Sequence, residues 1–377
     1  MGALDGVRIV EIAGIGPGPF CGMLLADMGA EVILIERAGK GGDLLDLGQH
    51  AIVNRGKRSL ALDLKDPAAI EAVLRLIEGA DGLIEGMRPG VMERLGLGPE
   101  VCLTRNPRLV YGRMTGWGQK GPLAQTAGHD LNYIALSGAL WFSGEAGAPP
   151  LAPPTLVGDL GGGALYLAMG MLAGIINASN NGVGQVVDAA IVDGSANLMN
   201  LLLSAHSAGQ QPLARGQGLL DGAHWAQTYA CADGHFISVQ ALEPQFNALL
   251  FAKLGLGDDQ DFKNPYDPRL WGSLRERLAA LFISQPRQHW VDLLEGSDAC
   301  FAPVLTPLEA MSHPHMAARG VYSKPNGVLQ AAPAPRFSAT PAGEPGAVPK
   351  RGEHGADILR AAGLSEAAIQ GLLQAQG

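Results

Sequence analysis

The sequence predicts an α/β protein built on a parallel sheet, and three observations support this. Short apolar runs of strand length alternate with helical patterns through the first third of the 377 residues. The first such unit, strand 7–12, helix 20–28 and strand 31–36, closes within about 30 residues, which requires parallel strands. The chain is 47% hydrophobic and 17% charged, so it can bury a substantial core.

The pattern then repeats along the chain. Asp66 and Pro67 have the residue types of a helix N-cap and first helical position, and they predict a helix to residue 79. Residues 128–176 are predicted to be largely helical. The further predicted strands are 59–62, 82–85, 109–114 and 186–191.

A change in composition and hydrophobic pattern after about residue 200 predicts a second domain. The Gly-rich stretch 209–222 is typical of a linker, and Asp233-Gly234 predicts the turn of a hairpin over 230–241. Helices are expected at 244–254, 270–283 and 289–294. The prediction is a Rossmann-like large domain (1–205), a smaller α+β domain (225–312), and a crossing segment with C-terminal helices (313–377) that returns to the large domain.

The turn after the first strand has part of the glycine pattern of a dinucleotide-binding site. Gly14 and Gly16 fit the G-x-G-x-x-G pattern, but Pro19 replaces its third glycine. Arg37 follows Glu36 at the end of the next strand, and a cation there suits a phosphate better than a ribose hydroxyl. A nicotinamide cofactor is therefore disfavoured.

Basic residues cluster at predicted strand ends. Residues 54–65 contain Arg55, Lys57, Arg58 and Lys65, while the chain as a whole has 27 basic and 36 acidic residues. Arg37, Lys40, Arg88 and Arg94 also fall near strand ends, where α/β sheets bind ligands. The set predicts a site for a ligand with several phosphates. The net charge of -9 disfavours a nucleic-acid partner.

A series of motifs runs along nearly the whole chain. They are VRIVE (7–11), NRGKRSL (54–60), RPGV (88–91), NPRLVY (106–111), MTGWGQ (114–119), AGHDLNY (127–133), GDLGGG (158–163) and LEPQF (242–246). In this order and spacing they resemble the class III CoA-transferase family. Within that family, the pattern is most similar to the branch that racemises 2-methylacyl-CoA thioesters.

The resemblance implies an interlocked homodimer with an acyl-CoA substrate and no separate cofactor. The active site would lie between the large domain of one chain and the small domain of its partner. The substrate and its CoA portion would contact Arg37, Arg55, Lys57, Arg58, Leu62, Asp63, Leu64, Lys65, Arg88, Arg94, Gly128, Asp130, Leu131, Asn132 and Tyr133.

Inversion beside a thioester needs one acid/base group on each face of the α-carbon. His129 is a candidate because the ordinary pKa of a histidine side chain, about 6.5, lies near neutral pH. Asp159 would need an apolar pocket to raise its pKa. Asp159 also has the residue type of a helix N-cap. Backbone N–H groups near Asp159 are predicted to bind the enolate oxygen. The resemblance adds Glu243 as the hydrogen-bond partner of His129.

Two other functions stay open at this point. A CoA transferase would use Asp159 as the nucleophile and form a mixed anhydride. A non-catalytic acyl-CoA binding protein would have no use for His129, Asp159 and Glu243. The pair His129 and Glu243 favours the racemase, because a transferase does not need it.

The remaining features set the expected location. Four separated cysteines (Cys21, Cys102, Cys231 and Cys300) are expected to be free thiols of a reducing cytoplasm. The N-terminus lacks a signal-peptide pattern, and the apolar run 165–176 is shorter than a membrane span. His313 and His315 lack accompanying ligands, so no metal is expected. The sequence thus predicts a cytoplasmic protein without a membrane segment.

Overall fold

A computed structural model describes residues 2–39 and 47–374. Lys40 lies outside the described residues. The chain divides into two compact units, of which the second comprises Leu140–Leu151 and Met199–Val321. The first takes in the chain up to Ala139, Ala152–Leu198 and the chain from Tyr322 onward. The predicted domain boundaries stay a prediction, because compactness does not show that a unit folds alone.

A six-stranded parallel sheet forms the first unit and confirms the predicted fold class. Its order is β3-β2-β1-β4-β5-β6, so the chain reverses direction across the sheet between β1 and β4. Ligands of open α/β sheets bind at such a switch point, beyond the carboxyl ends of the strands. The strands are β1 (Arg8–Ile12), β2 (Glu31–Arg37), β3 (Arg58–Leu62), β4 (Gly82–Glu85), β5 (Val110–Thr115) and β6 (Gln185–Ala190).

Helices connect these strands, and their ends follow local sequence signals. The side chain of Asp66 accepts a hydrogen bond from the Ala68 N–H at 2.9 Å, and Pro67 opens the helix, as predicted. The helices are α1 (Pro17–Asp27), α2 (Pro67–Glu78), α3 (Val91–Arg94), α4 (Pro99–Arg105), α5 (Asp130–Ser137), α6 (Leu165–Asn181) and α7 (Ile191–Leu198). Short 3-10 turns cover Gly48–His50, Ile52–Asn54 and Ala139–Phe142, and a π-helix covers Leu156–Ala164.

Apolar side chains cover both faces of the sheet. On one face, Val10 and Leu83 belong to a cluster with Val73 of α2. On the other, Ile9 and Val110 belong to a cluster with α1 and α6. Because strand residues alternate between faces, one strand supplies both clusters. Because both faces are covered, the loops that follow the strands meet at the carboxyl ends of the sheet.

The π-helix runs directly into α6 and makes one helical segment, Leu156–Asn181. This segment is longer than the predicted apolar run, and its length and mean hydropathy of 1.5 would allow it to cross a membrane. Buried core helices pass the same test. Here Leu167, Met171 and Ala178 are buried on the face of the segment that packs against β5 and β6.

The second unit is a small antiparallel sheet with helices. The predicted hairpin is present, and Asp233-Gly234 lies in its turn between β7 (Ala226–Ala230) and β8 (Phe236–Gln240). A third strand, β9 (Phe301–Val304), was not predicted, because Pro303 interrupts its β pattern. The helices are α8 (Asn200–Ser207), α9 (Pro244–Lys253), α10 (Trp271–Phe282), α11 (Arg287–Leu294), α12 (Pro307–Ser312) and α13 (Pro314–Ala318).

The predicted linker 209–222 is corrected by the structure. The Asp221 carboxylate accepts hydrogen bonds from the N–H groups of Gly216 (2.7 Å) and Gly218 (2.9 Å). These bonds fold the stretch into compact turns of the second unit. The chain from Tyr322 onward belongs to the first unit and contains β10 (Tyr322–Ser323), β11 (Gln330–Ala331), a 3-10 turn (Pro325–Gly327), α14 (Gly355–Ala361) and α15 (Glu366–Gln374).

Candidate active site

A cleft of about 240 Å³ opens in the first unit beyond the carboxyl ends of β1, β4 and β5. Its walls are the three loops that follow these strands, together with parts of α5 and the π-helix. The lining residues are Ile12, Gly14, Ile15, Pro17, Gly18, Pro19, Gly86, Met87, Arg88, Pro89, Met114, Thr115, Gly116, Trp117, Ala124, Thr126, Ala127, Gly128, Tyr133, Asp159 and Ile191. The cleft therefore lies at the switch point of the sheet.

The turn between β1 and α1 forms one wall of this cleft. Gly16 adopts φ 75°, a left-handed conformation that favours glycine, and Pro17 begins the helix. A Cβ atom on Gly16 would lie 3.6 Å from Oδ2 of Asp159. The turn thus packs directly beside the Asp159 carboxyl.

Asp159 lies on the π-helix, half-buried on the opposite side of this contact. Burial, and after it the charge of Asp130, raises the pKa of Asp159 to about 6, although the charge of His129 opposes the rise. A carboxyl with this pKa exchanges protons near neutral pH. This is the property that the sequence required of an acid/base Asp159.

Asp130 links the two candidate catalytic segments. Its Oδ1 accepts hydrogen bonds from the backbone N–H groups of Gly158 (2.9 Å) and Asp159 (2.8 Å). A Cβ atom on Gly158 would lie 2.5 Å from the same oxygen, so only glycine allows this approach. The prediction that the N–H groups next to Asp159 bind an enolate is therefore wrong for these two, since Asp130 already occupies them.

His129 precedes α5 and is exposed; it does not line the cleft itself but follows Gly128, which does. Its backbone N–H donates to Oδ1 of Asn132 at 3.0 Å, which closes the start of the helix. The first helical N–H groups, those of Asp130 and Leu131, have no hydrogen-bond acceptor among the described residues. They are donors that point out of a helix N-terminus beside His129.

Tyr133 forms the inner wall of the cleft, and its neighbours fix the ring. The hydroxyl donates to the carbonyl of Gly128, and the ring meets Trp117 edge-on at a centroid distance of 4.7 Å. A Cβ atom on Gly116 would lie 2.0 Å from the Tyr133 ring, so glycine is required there too. Leu131, by contrast, is exposed.

Three of the predicted phosphate ligands are exposed cations. Arg37 ends β2, Arg88 lines the cleft, and Arg94 ends α3. None of the three has an ion-pair partner within the described ranges. They are therefore available to an anion.

The predicted CoA-binding residues within and just after β3 differ in how far they are buried. Leu62 is buried in the sheet, and Leu64 is half-buried. Asp63 and Lys65 are exposed in the turn, where Oδ1 of Asp63 accepts the Lys65 N–H at 3.0 Å. Arg58 is partly exposed and forms an ion pair with Glu31.

Arg55 and Lys57 require a correction, because both side chains are buried and have protein partners. Arg55 forms a bidentate ion pair with Asp27, at 3.0 and 2.6 Å. Nζ of Lys57 lies 2.8 Å from Oε1 of Glu11. The structure thus contradicts a phosphate-binding role for these two side chains.

Glu243 belongs to the second unit, where it is exposed immediately before α9. Its charge raises the pKa of Tyr266 and of Cys300, in both cases after the larger effect of burial. Its predicted hydrogen bond to His129 stays a prediction. No group of three or more metal-ligating side chains occurs within residues 2–39 and 47–374.

Sequence reasoning missed an ion-pair cluster in which Arg113 and Glu85 are buried and Glu93 is exposed. Nε of Arg113 donates to Oε1 of Glu85 at 2.9 Å, and its Nη1 donates to Glu93 at 2.8 Å. Oε2 of Glu85 accepts the N–H of Met87, which lies in the cleft wall. A glutamate at the end of an apolar strand was the available signal for this cluster.

The fold and the cleft define an α/β protein with a half-buried carboxyl of raised pKa at the switch point of its sheet. Residues 4–355 match the CoA-transferase family III. The chain belongs to this family, which confirms the resemblance read from its motifs.

Named relatives agree with this membership. The chain is 42% identical to the alpha-methylacyl-CoA racemase of Mus musculus over 370 residues, covering 97% of this chain and 95% of that protein. It is 41% identical to the alpha-methylacyl-CoA racemase of Homo sapiens, with the same coverage of both chains. Its structure is similar to a CAIB/BAIF family protein from Brucella suis (TM-score 0.79, 28% identity, 96% of this chain and 99% of that chain).

Proposed function

We propose that this protein is a cofactor-independent racemase that interconverts (2R)- and (2S)-2-methylacyl-CoA thioesters by 1,1-proton transfer through an enolate. The observation that carries the proposal is the Asp159 carboxyl, with its pKa raised to about 6 and its backbone tied by Asp130 to the segment that bears His129. The similarity to two racemases over nearly the full chain supports the same reaction.

Each base serves one face of the α-carbon in this mechanism. Neutral His129 removes the α-proton from one epimer, the bond electrons move into the thioester as an enolate, and protonated Asp159 delivers a proton to the other face. The reverse reaction exchanges the roles. At pH 7 a carboxyl with a pKa near 6 is protonated about one time in ten, so both forms are populated.

The enolate needs hydrogen-bond donors near the developing charge. The N–H groups of Gly158 and Asp159 are occupied, whereas those of Asp130 and Leu131, at the start of α5, have no acceptor in the described part of the chain. We assign the enolate oxygen to this helix start. The dipole of α5 would add to its stabilisation.

The CoA portion is assigned to three exposed cations, one of which lines the cleft. Arg37, Arg88 and Arg94 would bind its phosphates, with Leu62–Leu64 and Lys65 beside the nucleotide and Tyr133 along the pantetheine path. Arg88 carries this assignment furthest, because it lines the cleft that holds Asp159.

A homodimer that brings Glu243 of one chain to His129 of the other is part of the proposal. Exposed apolar side chains on the segment Leu156–Asn181 support a second copy, since Leu165, Met169 and Ile176 are all more than half exposed. Sedimentation equilibrium should give a dimer. A fully active monomer would exclude this arrangement.

The same proposal places the enzyme in the cytoplasm, with no nucleic-acid or membrane partner and no cofactor. Four free cysteines support a reducing compartment. Localisation of a tagged full-length chain tests this part independently of the reaction.

A CoA transferase remains the second candidate, because the family includes this reaction in its name. There the Asp159 carboxylate would attack the thioester carbonyl and expel CoA thiolate, leaving an acyl-aspartyl anhydride. The deciding experiment incubates one epimer of a 2-methylacyl-CoA in D₂O without an acceptor acid. A racemase gives inversion with one deuteron at the α-carbon, whereas a transferase leaves the substrate unlabelled.

A further inference from the structure

Lys57 is buried beneath the turn between β1 and α1, and all of its polar contacts are internal. Its Nζ lies 2.8 and 2.7 Å from the two carboxylate oxygens of Glu11, the last but one residue of β1. It also donates to the carbonyl oxygen of Pro19 at 2.9 Å and to Oδ1 of Asn54 at 3.3 Å. The ammonium group therefore joins the sheet to the first turn of α1.

The space for this pair is built into α1. A Cβ atom on Gly22 would lie 1.8 Å from Oε2 of Glu11 and 3.1 Å from Nζ of Lys57. Glu11 and Lys57 side chains are at most 1% exposed. Removing two charges from water is costly, and replacing a buried ion pair by apolar residues of similar volume often leaves stability unchanged or raises it. Stability alone is therefore a weak reason for this arrangement.

The position of the turn gives a stronger reason. Pro17, Gly18 and Pro19 line the cleft, and the adjacent Gly16 lies against Oδ2 of Asp159. The bond from Lys57 to Pro19 fixes the backbone of this turn from behind. A shift of the turn away from the π-helix would open the space around Asp159 to water.

We propose that Lys57 is a positioning residue, which holds the Gly16–Pro19 turn against the Asp159 carboxyl and thereby keeps that carboxyl partly dehydrated. The inference rests on the proposed racemase function for its kinetic consequences. Its structural part, the link between Lys57 and the surroundings of Asp159, does not depend on any reaction.

The consequence is specific to Asp159. Burial is the main cause of its raised pKa, and the other groups that face it are Asp130, His129 and Tyr133. Lys57 is not among them, so its removal would act on Asp159 through water entry rather than through its own charge. The rate of proton transfer by Asp159 should therefore fall more than the rate of proton transfer by His129.

The test uses the full-length protein with Lys57→Met, the double variant Glu11→Gln/Lys57→Met, and Lys263→Met as a control for loss of a lysine. Lys263 is half-exposed in the second unit. The double variant leaves no uncompensated buried charge, so it is expected to fold even if Lys57→Met does not.

Two readouts are expected to change together in the double variant. The pKa of Asp159, followed by its ¹³Cγ shift and assigned with Asp159→Asn, should fall by about one unit or more toward the ordinary value. Exchange in D₂O at the epimer served by Asp159 should fall about 10- to 100-fold, and exchange at the other epimer should fall less. Lys263→Met should match the wild type in both.

The titration keeps the two proposals apart, because it needs no substrate. If the wild type shows no exchange but the double variant lowers the pKa of Asp159, the racemase is wrong and the positioning role stands. If the double variant has the wild-type pKa at Asp159, or fails to fold, Lys57 serves stability only and the inference is overturned.

Discussion

Oδ1 of Asp130 accepts the backbone N–H of Asp159 at 2.8 Å, so one carboxylate both fixes the position and raises the pKa of another. The same oxygen accepts the N–H of Gly158. Asp130 directly follows His129 in the chain. A single buried side chain therefore relates the two candidate bases, which are 30 residues apart in sequence.

Asp130→Asn should separate these two effects. The amide oxygen can still accept both N–H groups, but the negative charge is lost, so the pKa of Asp159 should fall. We expect the lower limb of the pH–rate profile for exchange to move to lower pH. Asp130→Ala should also destabilise the fold by about 1–3 kcal/mol, because two N–H groups lose their acceptor. A profile for Asp130→Asn that superimposes on that of the wild type contradicts the electrostatic part.

His129→Ala and Asp159→Ala should each abolish inversion, because one face of the α-carbon then lacks a proton carrier. Proton transfer by a placed group contributes roughly 10² to 10⁴ in rate. In D₂O, His129→Ala should still label the epimer that meets Asp159, and Asp159→Ala should label the other. Mass spectrometry of each recovered epimer measures this. Loss of the same label in both variants would rule out a two-sided site.

Arg37→Ala and Arg88→Ala should weaken CoA binding, since both cations are exposed and have no ion-pair partner in the described ranges. Affinity for CoA should fall as salt rises, because exposed charges are screened over roughly 8 Å at physiological ionic strength. If one of these arginines binds the 3′-phosphate, the variant that lacks it should also lose the preference of the protein for CoA over dephospho-CoA.

Calorimetric titration of both ligands measures this effect. Arg108→Ala is a matched control, because Arg108 is an exposed arginine that precedes the amino end of β5, away from the cleft. If Arg108→Ala weakens binding as much as Arg88→Ala does, the phosphate assignment is wrong.

His224 should make the second unit sensitive to acid. Its ring is fully buried and stacks on Phe251 with ring centroids 5.5 Å apart, and no residue that the structure describes forms a hydrogen bond with either ring nitrogen. Burial, and after it the charge of Arg275, lowers the pKa of His224 to about 4. The unfolded chain then binds a proton below pH 6.5 that the folded chain binds only near pH 4. Stability is therefore full above pH 6.5 and decreases toward pH 4.

The loss attributable to His224 is on the order of 3 kcal/mol. Urea unfolding at pH 7.5 and 5.0 should show a smaller decrease in His224→Leu than in the wild type. His235→Gln, a change at an exposed hairpin residue, should keep the wild-type decrease. Equal decreases in wild type and His224→Leu would remove His224 as the cause.

The order of strands and helices in the first unit could be predicted because its signals are local. The alternation of apolar runs, the Asp66 cap and the Asp233-Gly234 turn each act within a few residues, and all three are present. β9 was missed because its pairing with β8 is made over a long separation in sequence, against the local preference of Pro303.

The candidate site was predictable in its residue types and less so in their contacts. The motif around His129 and Asp159 indicated two acid/base groups, and the raised pKa of Asp159 fits that expectation. The role of Asp130 as acceptor for Gly158 and Asp159 has no local signal, because it depends on the packing of α5 against the π-helix.

Arg55 and Lys57 show most clearly what the sequence determined and what tertiary structure decided. The sequence by itself placed a dense group of cations beside a strand end, because the charge and spacing of residues can be read directly from the sequence. It could not distinguish a cation that faces a ligand from one that faces a buried carboxylate. That choice depends on Asp27 and Glu11, which lie 28 and 46 residues away and reach the two cations only when α1 and β1 pack against the segment before β3.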